Sequence, residues 1–219
     1  MHDPEEIDIG KNVLEANRIS AEHNRKLFAE HDILAVNLMG PPGSGKTTLL
    51  EKTLKLLAGL KVAVIEGDIE GDVDKKRVLD AGALQAYQIN TYGACHLIAH
   101  QVEHALEHLE LGYIDLLFIE NVGNLVCPAE FDLGESAKVV VIGVTEGADK
   151  PLKYPLMFHK SQAVVINKMD ILEHSGCNID ELKGNIRKIN PDIEIFEISS
   201  RTGEGIEGWA EWVKGQVNG

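Results

Sequence analysis

The sequence predicts an α/β fold: a mostly parallel sheet in a three-layer α/β/α arrangement, preceded by a helix. Three observations carry this. Short apolar runs alternate with helical patterns along the chain, as expected when helices cover both faces of a parallel sheet. Several of the runs, such as Asp115–Ile119, Lys138–Val144 and Ala163–Ile166, show no polar alternation, the mark of strands buried on both faces. A glycine-rich loop, Gly40-Pro41-Pro42-Gly43-Ser44-Gly45-Lys46-Thr47, joins a predicted strand to a predicted helix.

Residues 5 to about 31 read as a lead-in helix, with Ile7, Val13, Leu14, Ile19, Leu27 and Phe28 loosely at helical spacing. Ile33–Met39 is the first strand and Lys46–Ala58 the helix after the glycine loop. Lys61–Glu66 is a strand and Asp72–Ala81 a helix closed by Gly82. Leu84–Ile89 follows as a strand and Ala94–Leu109 as a helix. After the three buried strands come the helix Ile179–Ile189, the strand Glu194–Ile198 and the helix Ile206–Val217. This divides the chain into a helical lead-in, 1–31, and a domain, 32–219. Right-handed crossovers follow from strand twist, and ligands are expected at the carboxyl ends of the strands. The connection from Asn121 to Ala137 is long, and long loops in compact domains tend to be functional.

Composition narrows the function. The chain has 219 residues, 44% of them hydrophobic and 26% charged, which suits a globular domain. Its net charge of −14 repels nucleic acid and anionic membrane, so neither is an expected partner. No stretch of about 18 apolar residues is present, so no membrane span is expected. The start, Met-His-Asp-Pro-Glu-Glu, lacks a basic region followed by an apolar run. Three cysteines make no disulfide framework, and a reducing cytoplasm is the expected location.

The glycine loop has the form G-x-x-x-x-G-K-T with a strand before it and a helix after it. Gly40, Gly43 and Gly45 let backbone N–H groups turn toward phosphates, and the helix start adds its positive end. Ser44 and Thr48 lie in the same turn. Lys46 is placed to reach the β- and γ-phosphates, and the Thr47 hydroxyl to bind Mg²⁺. These features define a P-loop NTPase. Asp68 and Glu120 end strands near the loop, where phosphoryl transfer needs carboxylates for Mg²⁺ and its waters. The longer Glu120, in place of the usual aspartate, is expected to act through water. Asp72 and Asp74 are weaker candidates and read better as a solvated helix start. Gly123, three residues after Glu120, offers an N–H to the γ-phosphate, and segments held that way act as switches.

Asn167-Lys168-Met169-Asp170 follows a strand. The Asp170 carboxylate can accept from guanine N1–H and the N2 amine. Adenine would leave it unpaired, so the nucleotide is read as GTP or GDP. Asn167 is expected to contact the base, the Lys168 stem to pack on it, and Ser199 and Ser200 to supply backbone donors to the guanine oxygen.

Cys95, His96 and Cys127 supply thiolate and imidazole, which suit Ni²⁺ or Zn²⁺ equally. The spacing is not C-x-x-C, and two buried apolar cysteines with a surface histidine fit it as well. Three ligands fall one short of a closed site, and a two-fold dimer could complete it. His100 and His104 share a predicted helical face with His96 and are candidates for a second ion, though exposed histidines are the blander reading. Cys177 reads as incidental.

These stretches, with Glu66-Gly67-Asp68, Asn90–His96, Leu117–Leu133 and Thr145–Pro155, resemble the HypB family of nickel-insertion GTPases, in the SIMIBI class of P-loop GTPases. The resemblance covers most of the chain. It implies a slow GTPase that forms a homodimer with GTP and binds Ni²⁺ or Zn²⁺ at Cys95, His96 and Cys127. It implies delivery of nickel to the large-subunit precursor of [NiFe] hydrogenase, with a small zinc-containing accessory protein. The chain shows neither the cysteine-rich motif nor the histidine-rich tract with which some members begin. Tight N-terminal nickel binding and storage are therefore not expected. The alternatives are a relative serving urease or a cobalamin enzyme, or a metal-binding scaffold with vestigial nucleotide binding. The Asn121–Leu133 segment favours hydrogenase, and Lys46, Thr47, Asp68 and Glu120 disfavour the scaffold.

Overall fold

The computed structural model describes residues 4–68 and 73–217, with side chains from residue 13 onward except Val73. The helices are α1 (Pro4–Glu30), α2 (Lys46–Leu56), α3 (Val73–Asp80), α4 (Ala99–Leu106), α5 (Lys150–Lys153), α6 (Pro155–His159), α7 (Leu172–Ser175), α8 (Ile179–Ile189) and α9 (Ile206–Val217). The strands are β1 (Leu34–Met39), β2 (Val62–Asp68), β3 (Gln85–Asn90), β4 (Leu116–Glu120), β5 (Ala137–Gly143), β6 (Ala163–Asn167) and β7 (Glu194–Glu197). They form one sheet in the order β3-β2-β4-β1-β5-β6-β7, every described pairing parallel. This is the fold class the sequence predicts.

Both faces of the sheet are covered. On one, Leu49, Leu50 and Leu54 of α2 and Trp209, Ala210 and Val213 of α9 pack on Val36, Leu38, Val64 and Phe118. The Trp209 indole N–H donates to Thr53 Oγ1 at 3.0 Å, locking α9 to α2. On the other face, α1 and α4 cover β1, β2 and β4, and α6 and α8 cover β5 and β6.

Five helices differ from the sequence reading. Only part of the apolar set marked on the first helix is buried: Phe28 is buried and Leu27 packs against the core, but Val13, Leu14 and Ile19 are exposed, and Asn17, Ala21 and Asn24 complete the buried face. The helix docks through amides. Asn24 Nδ2 donates to Ala99 O and Leu133 O, and Asn17 bridges Asp132 O and Ala99 N–H. Helix α4 begins at Ala99 rather than at residue 94, because Ile98 is extended and Gln101 Oε1 reaches back to accept from its N–H. Helices α5, α6 and α7 are short, Pro151 and Pro155 punctuate the first two, and the sequence pattern did not mark them.

The α1 dock requires a glycine. Gly134 has φ +91°, and a Cβ there would lie 2.6 Å from Ala21 O and 2.8 Å from Asn24 Cβ. Gly134→Ala is expected to lower unfolding free energy by about 1–3 kcal/mol and to speed amide exchange along α1. A urea midpoint equal to wild type would show that the dock tolerates a side chain.

Candidate nucleotide and metal site

The strand order brings the loop after β1 beside the end of β4, with Leu38 opposite Glu120. Helix α2 opens at Gly45 with no side-chain cap, so its first amides face the loop. A site for anions is built into such a helix start. The buried Lys46 ammonium donates to Gly40 O at 3.5 Å and Pro41 O at 3.4 Å. Burial pulls its pKa below the usual lysine value, and Glu120 and Asp68 oppose that shift. Ser44 is fully buried and Thr48 half-buried.

Thr47 Oγ1 donates to Glu120 Oε1 at 2.9 Å. Glu120 Oε2 and both carboxylate oxygens of Glu66 are buried with no hydrogen-bond partner among the described residues. All three acids, Glu66, Asp68 and Glu120, line one cavity of about 360 Å³ with Pro42, Gly43, Lys46 and Gly123. Buried carboxylate oxygens without donors are the chemistry a hard cation satisfies, so these residues fit Mg²⁺ with its waters. Asp74 also lines this cavity but is paired with Arg77 at 2.7 Å. Asp72 lies outside the described residues. Sequence reasoning missed Glu66 as a cavity residue. Its signal was an acid directly after the apolar run Val62–Ile65, read as the strand's end and as part of the Glu66-Gly67-Asp68 stretch without a role of its own.

Gly123 packs directly on the phosphate loop: a Cβ would lie 2.8 Å from Pro42 Cα. The next residue, Asn124, forms a bridge with Gly40, its N–H donating to Gly40 O at 2.9 Å.

A second cavity of about 310 Å³ is lined by Gly45, Thr48, Asn167, Lys168, Asp170, Ile171, Ser200 and Arg201. Asp170 Oδ1 accepts from Ser199 Oγ at 2.6 Å, and the nearest cation is Arg201, 3.9 Å from Oδ2. Lys168 holds φ +66°, a strained turn that lays its stem over Gly143. Asn167 lines this cavity and also joins the two loops that border it. Its buried amide donates to Ser44 O at 2.8 Å and accepts from Lys168 N and Ser200 N, bracing the two loops. The Ser199 and Ser200 amides are likewise engaged, with Glu204 O and Asn167 Oδ1. Ile171 and Arg201 are the pocket residues that the sequence reading passed over, and Arg201 is the polar one. It directly follows the Ser199-Ser200 pair.

Cys95, His96 and Cys127 converge: their ligand atoms all lie within 4.8 Å of one another. The two Sγ atoms are 3.2 Å apart, and Cys95 Sγ is 3.4 Å from His96 Nδ1. The His96 ring packs on Phe131 with centroids 4.0 Å apart, and burial lowers its pKa, keeping it neutral as a metal ligand must be. The Cys127 thiol is raised by its hydrogen bond with Cys95 and by burial, so a metal must displace its proton. Cys95 is exposed, which leaves the cluster open on one side. His100 and His104 do not join it. His96 precedes α4, so the three histidines share no helical face; His100 meets Glu103 and His104 meets the His108 ring. Cys177 is remote from this cluster.

A parallel sheet with a Lys46-Thr47 phosphate loop at its centre and a guanine-type Asn167–Asp170 turn beside it defines a P-loop GTPase. Residues 34–197 match the CobW/HypB/UreG nucleotide-binding domain family. The hydrogenase maturation factor HypB of Azotobacter vinelandii is 47% identical over 211 residues, spanning 96% of this chain and 69% of that protein. Two solved structures superpose with a TM-score of 0.87. HypB from Helicobacter pylori in complex with nickel is 37% identical, covering 93% of this chain and 95% of that one. The hydrogenase maturation factor HypB from Archaeoglobus fulgidus is 40% identical, covering 93% of this chain and all of the other. The chain belongs to the HypB family of hydrogenase maturation factors.

The buried acids set a pH dependence. Burial and mutual repulsion raise Glu66 to about 8, and burial raises Glu120 to about 7, from 4.5. The folded protein without cation therefore binds more protons than the unfolded chain between about pH 4.5 and 8. Its stability should fall as pH rises through that window, by up to about 1.4 kcal/mol per pH unit per group. Glu66→Gln should flatten the slope and stabilise the cation-free protein at pH 8. Denaturation midpoints measured from pH 5 to 8 check this, and an unchanged slope in the variant would refute the assignment.

Proposed function

We propose that the protein is a GTP-hydrolysing metallochaperone that carries nickel at Cys95, His96 and Cys127 and assists its insertion into the [NiFe] hydrogenase large subunit. The observation that carries this is the thiol–imidazole cluster standing on the two segments that leave the phosphate cavity. In this reading Lys46 and the amides of Gly43, Ser44, Gly45, Thr47 and Thr48 hold the phosphates. Thr47, Asp68 and Glu120 hold Mg²⁺, and the Gly123 N–H meets the γ-phosphate. Asp170 accepts from guanine, with Lys168 on the base plane. The cation neutralises charge on the transferring phosphoryl group, while the protein's residues position it.

The ligand set suits Ni²⁺ and Zn²⁺ alike. The open side of the cluster, at Cys95, is where a second copy of the chain would add ligands, so the working form is read as a GTP-promoted homodimer. The cargo's recipient is the hydrogenase large-subunit precursor, and a small zinc-containing accessory protein is the second partner. Among the described residues no helix is long and apolar enough to cross a membrane. The cytoplasm is the proposed location.

Lys46→Ala is expected to reduce phosphate release from GTP and Mg²⁺ by at least about a hundredfold. A variant as fast as wild type would remove the GTPase assignment from this loop. Cys95→Ala and Cys127→Ala should each lose stoichiometric Ni²⁺ in equilibrium dialysis, and full metal content in both would sink the metal site.

A further inference from the structure

The two thiols of the cluster reach it by different routes; one runs through the phosphate cavity, and the other is fastened to residues that line it. Cys127 follows the Gly123–Asn124 segment, which is paired to Gly40. Cys95 and His96 sit in the segment between β3 and α4, which is fastened at three points. Thr91 N–H and Thr91 Oγ1 both donate to Asp68 O, at 2.9 and 3.2 Å. The Leu97 side chain is fully buried against Gly67, where a Cβ would lie 2.8 Å from it. The Leu97 N–H donates to Asn121 Oδ1 at 3.0 Å.

Asn121 is the residue after Glu120, and it is 1% exposed. Its Oδ1 also accepts from Val122 N–H at 3.0 Å, and its Nδ2 donates to Asn37 Oδ1 at 3.2 Å. Asn37 in turn donates to Glu135 Oε1 at 3.0 Å. The amide therefore has one fixed orientation, and it cannot shift without carrying Leu97 with it. His96 is the neighbour of Leu97. The tips of β2 and β4, which carry Asp68 and Glu120, thus hold the backbone of the Cys95-His96 pair from both sides.

We infer that Asn121 and Leu97 form a tether by which the occupant of the phosphate cavity sets the affinity of the Cys95–His96–Cys127 cluster for metal. The inference rests on the proposed function and names its coupling route. A γ-phosphate held by the Gly123 N–H would draw on the segment that follows Glu120 and move the tip of β4 relative to that of β2. Leu97 is wedged between them, so the movement reaches His96 within one residue. Metal–sulfur and metal–nitrogen bonds of about 2.3 and 2.0–2.1 Å tolerate little displacement, so a small shift changes affinity strongly. Coupling of this kind is reciprocal: metal at the cluster changes nucleotide affinity by the same factor.

The test compares Ni²⁺ affinity, by competition with a chromophoric chelator, in full-length protein loaded with Mg²⁺ and either GDP or a non-hydrolysable GTP analogue. Wild-type affinities are expected to differ at least about fivefold between the two states. Asn121→Ala and Leu97→Ala should bring the ratio to within about twofold of one while each still binds one Ni²⁺ and the fluorescent nucleotide mant-GDP. A folded variant that keeps the wild-type ratio overturns the tether, and so does a wild-type ratio of one. Hydrogen exchange on the wild-type protein needs no variant: protection of the Leu97 amide should change between the two nucleotides, and identical protection also overturns it. Absence of Ni²⁺ binding by wild type strikes the metallochaperone reading instead.

Discussion

The registry of β1 against β4 is the constraint from which the site follows. Because Leu38 stands opposite Glu120, the chain leaves β1 into the phosphate loop at the level where β4 ends in a carboxylate. Asn121 N–H then donates to Leu38 O, and Asn124 pairs with Gly40, so the two outgoing loops run together. A slip of one residue along this pair would turn Glu120 to the opposite face. It would break the Thr47 hydrogen bond and separate Gly123 from Pro42. The guanine side depends on the next neighbours outward, since β5 and β6 bring Asn167 within reach of Ser44.

The electrostatics at this point run against stability. An acidic protein with four carboxylates round one cavity, Glu66, Asp68, Asp74 and Glu120, concentrates repulsion where the strands end, and the buried Lys46 answers it. Carboxylate oxygens buried without donors each carry a desolvation cost. Proteins keep such local conflicts at functional sites and offset them by packing elsewhere. Here the offset is the fully apolar contact of α2 and α9 with the sheet, tied by Trp209 and Thr53.

Much of this was legible in the sequence because the strands are buried on both faces and announce themselves as unbroken apolar runs. The phosphate loop and the Asn167–Asp170 turn were legible because local spacing defines them. What escaped depends on distant partners. The Cys95–Ile98 segment, bent at Cys95 and His96 and extended at Ile98, looks helical in isolation and is held out of the helix by Asn121, 24 residues from Leu97. Helix α1 hides its buried face because Asn17 and Asn24 dock it through carbonyls that belong to α4 and the 132–133 turn. The Ser199 and Ser200 amides could be counted as free donors only until Glu204 and Asn167 were known to take them. Glu66 was visible as a letter, but its isolation from any donor is a property of the assembled cavity.

The strand order also has a consequence for biosynthesis. Strand β1 is the middle of the finished sheet, yet its first neighbour to be translated is β4, with Leu116 coming 82 residues after its partner Leu34. A ribosome adds roughly 5–20 residues per second, so β1 waits on the order of 4–16 s for that neighbour. Meanwhile β2 and β3 can pair with each other. The glycine loop is thus made well before the strand that walls it. The segment that leads on to Cys127 emerges with that wall and the Asn167–Asp170 turn only later, so the proposed metal ligands are all made before the proposed base pocket is.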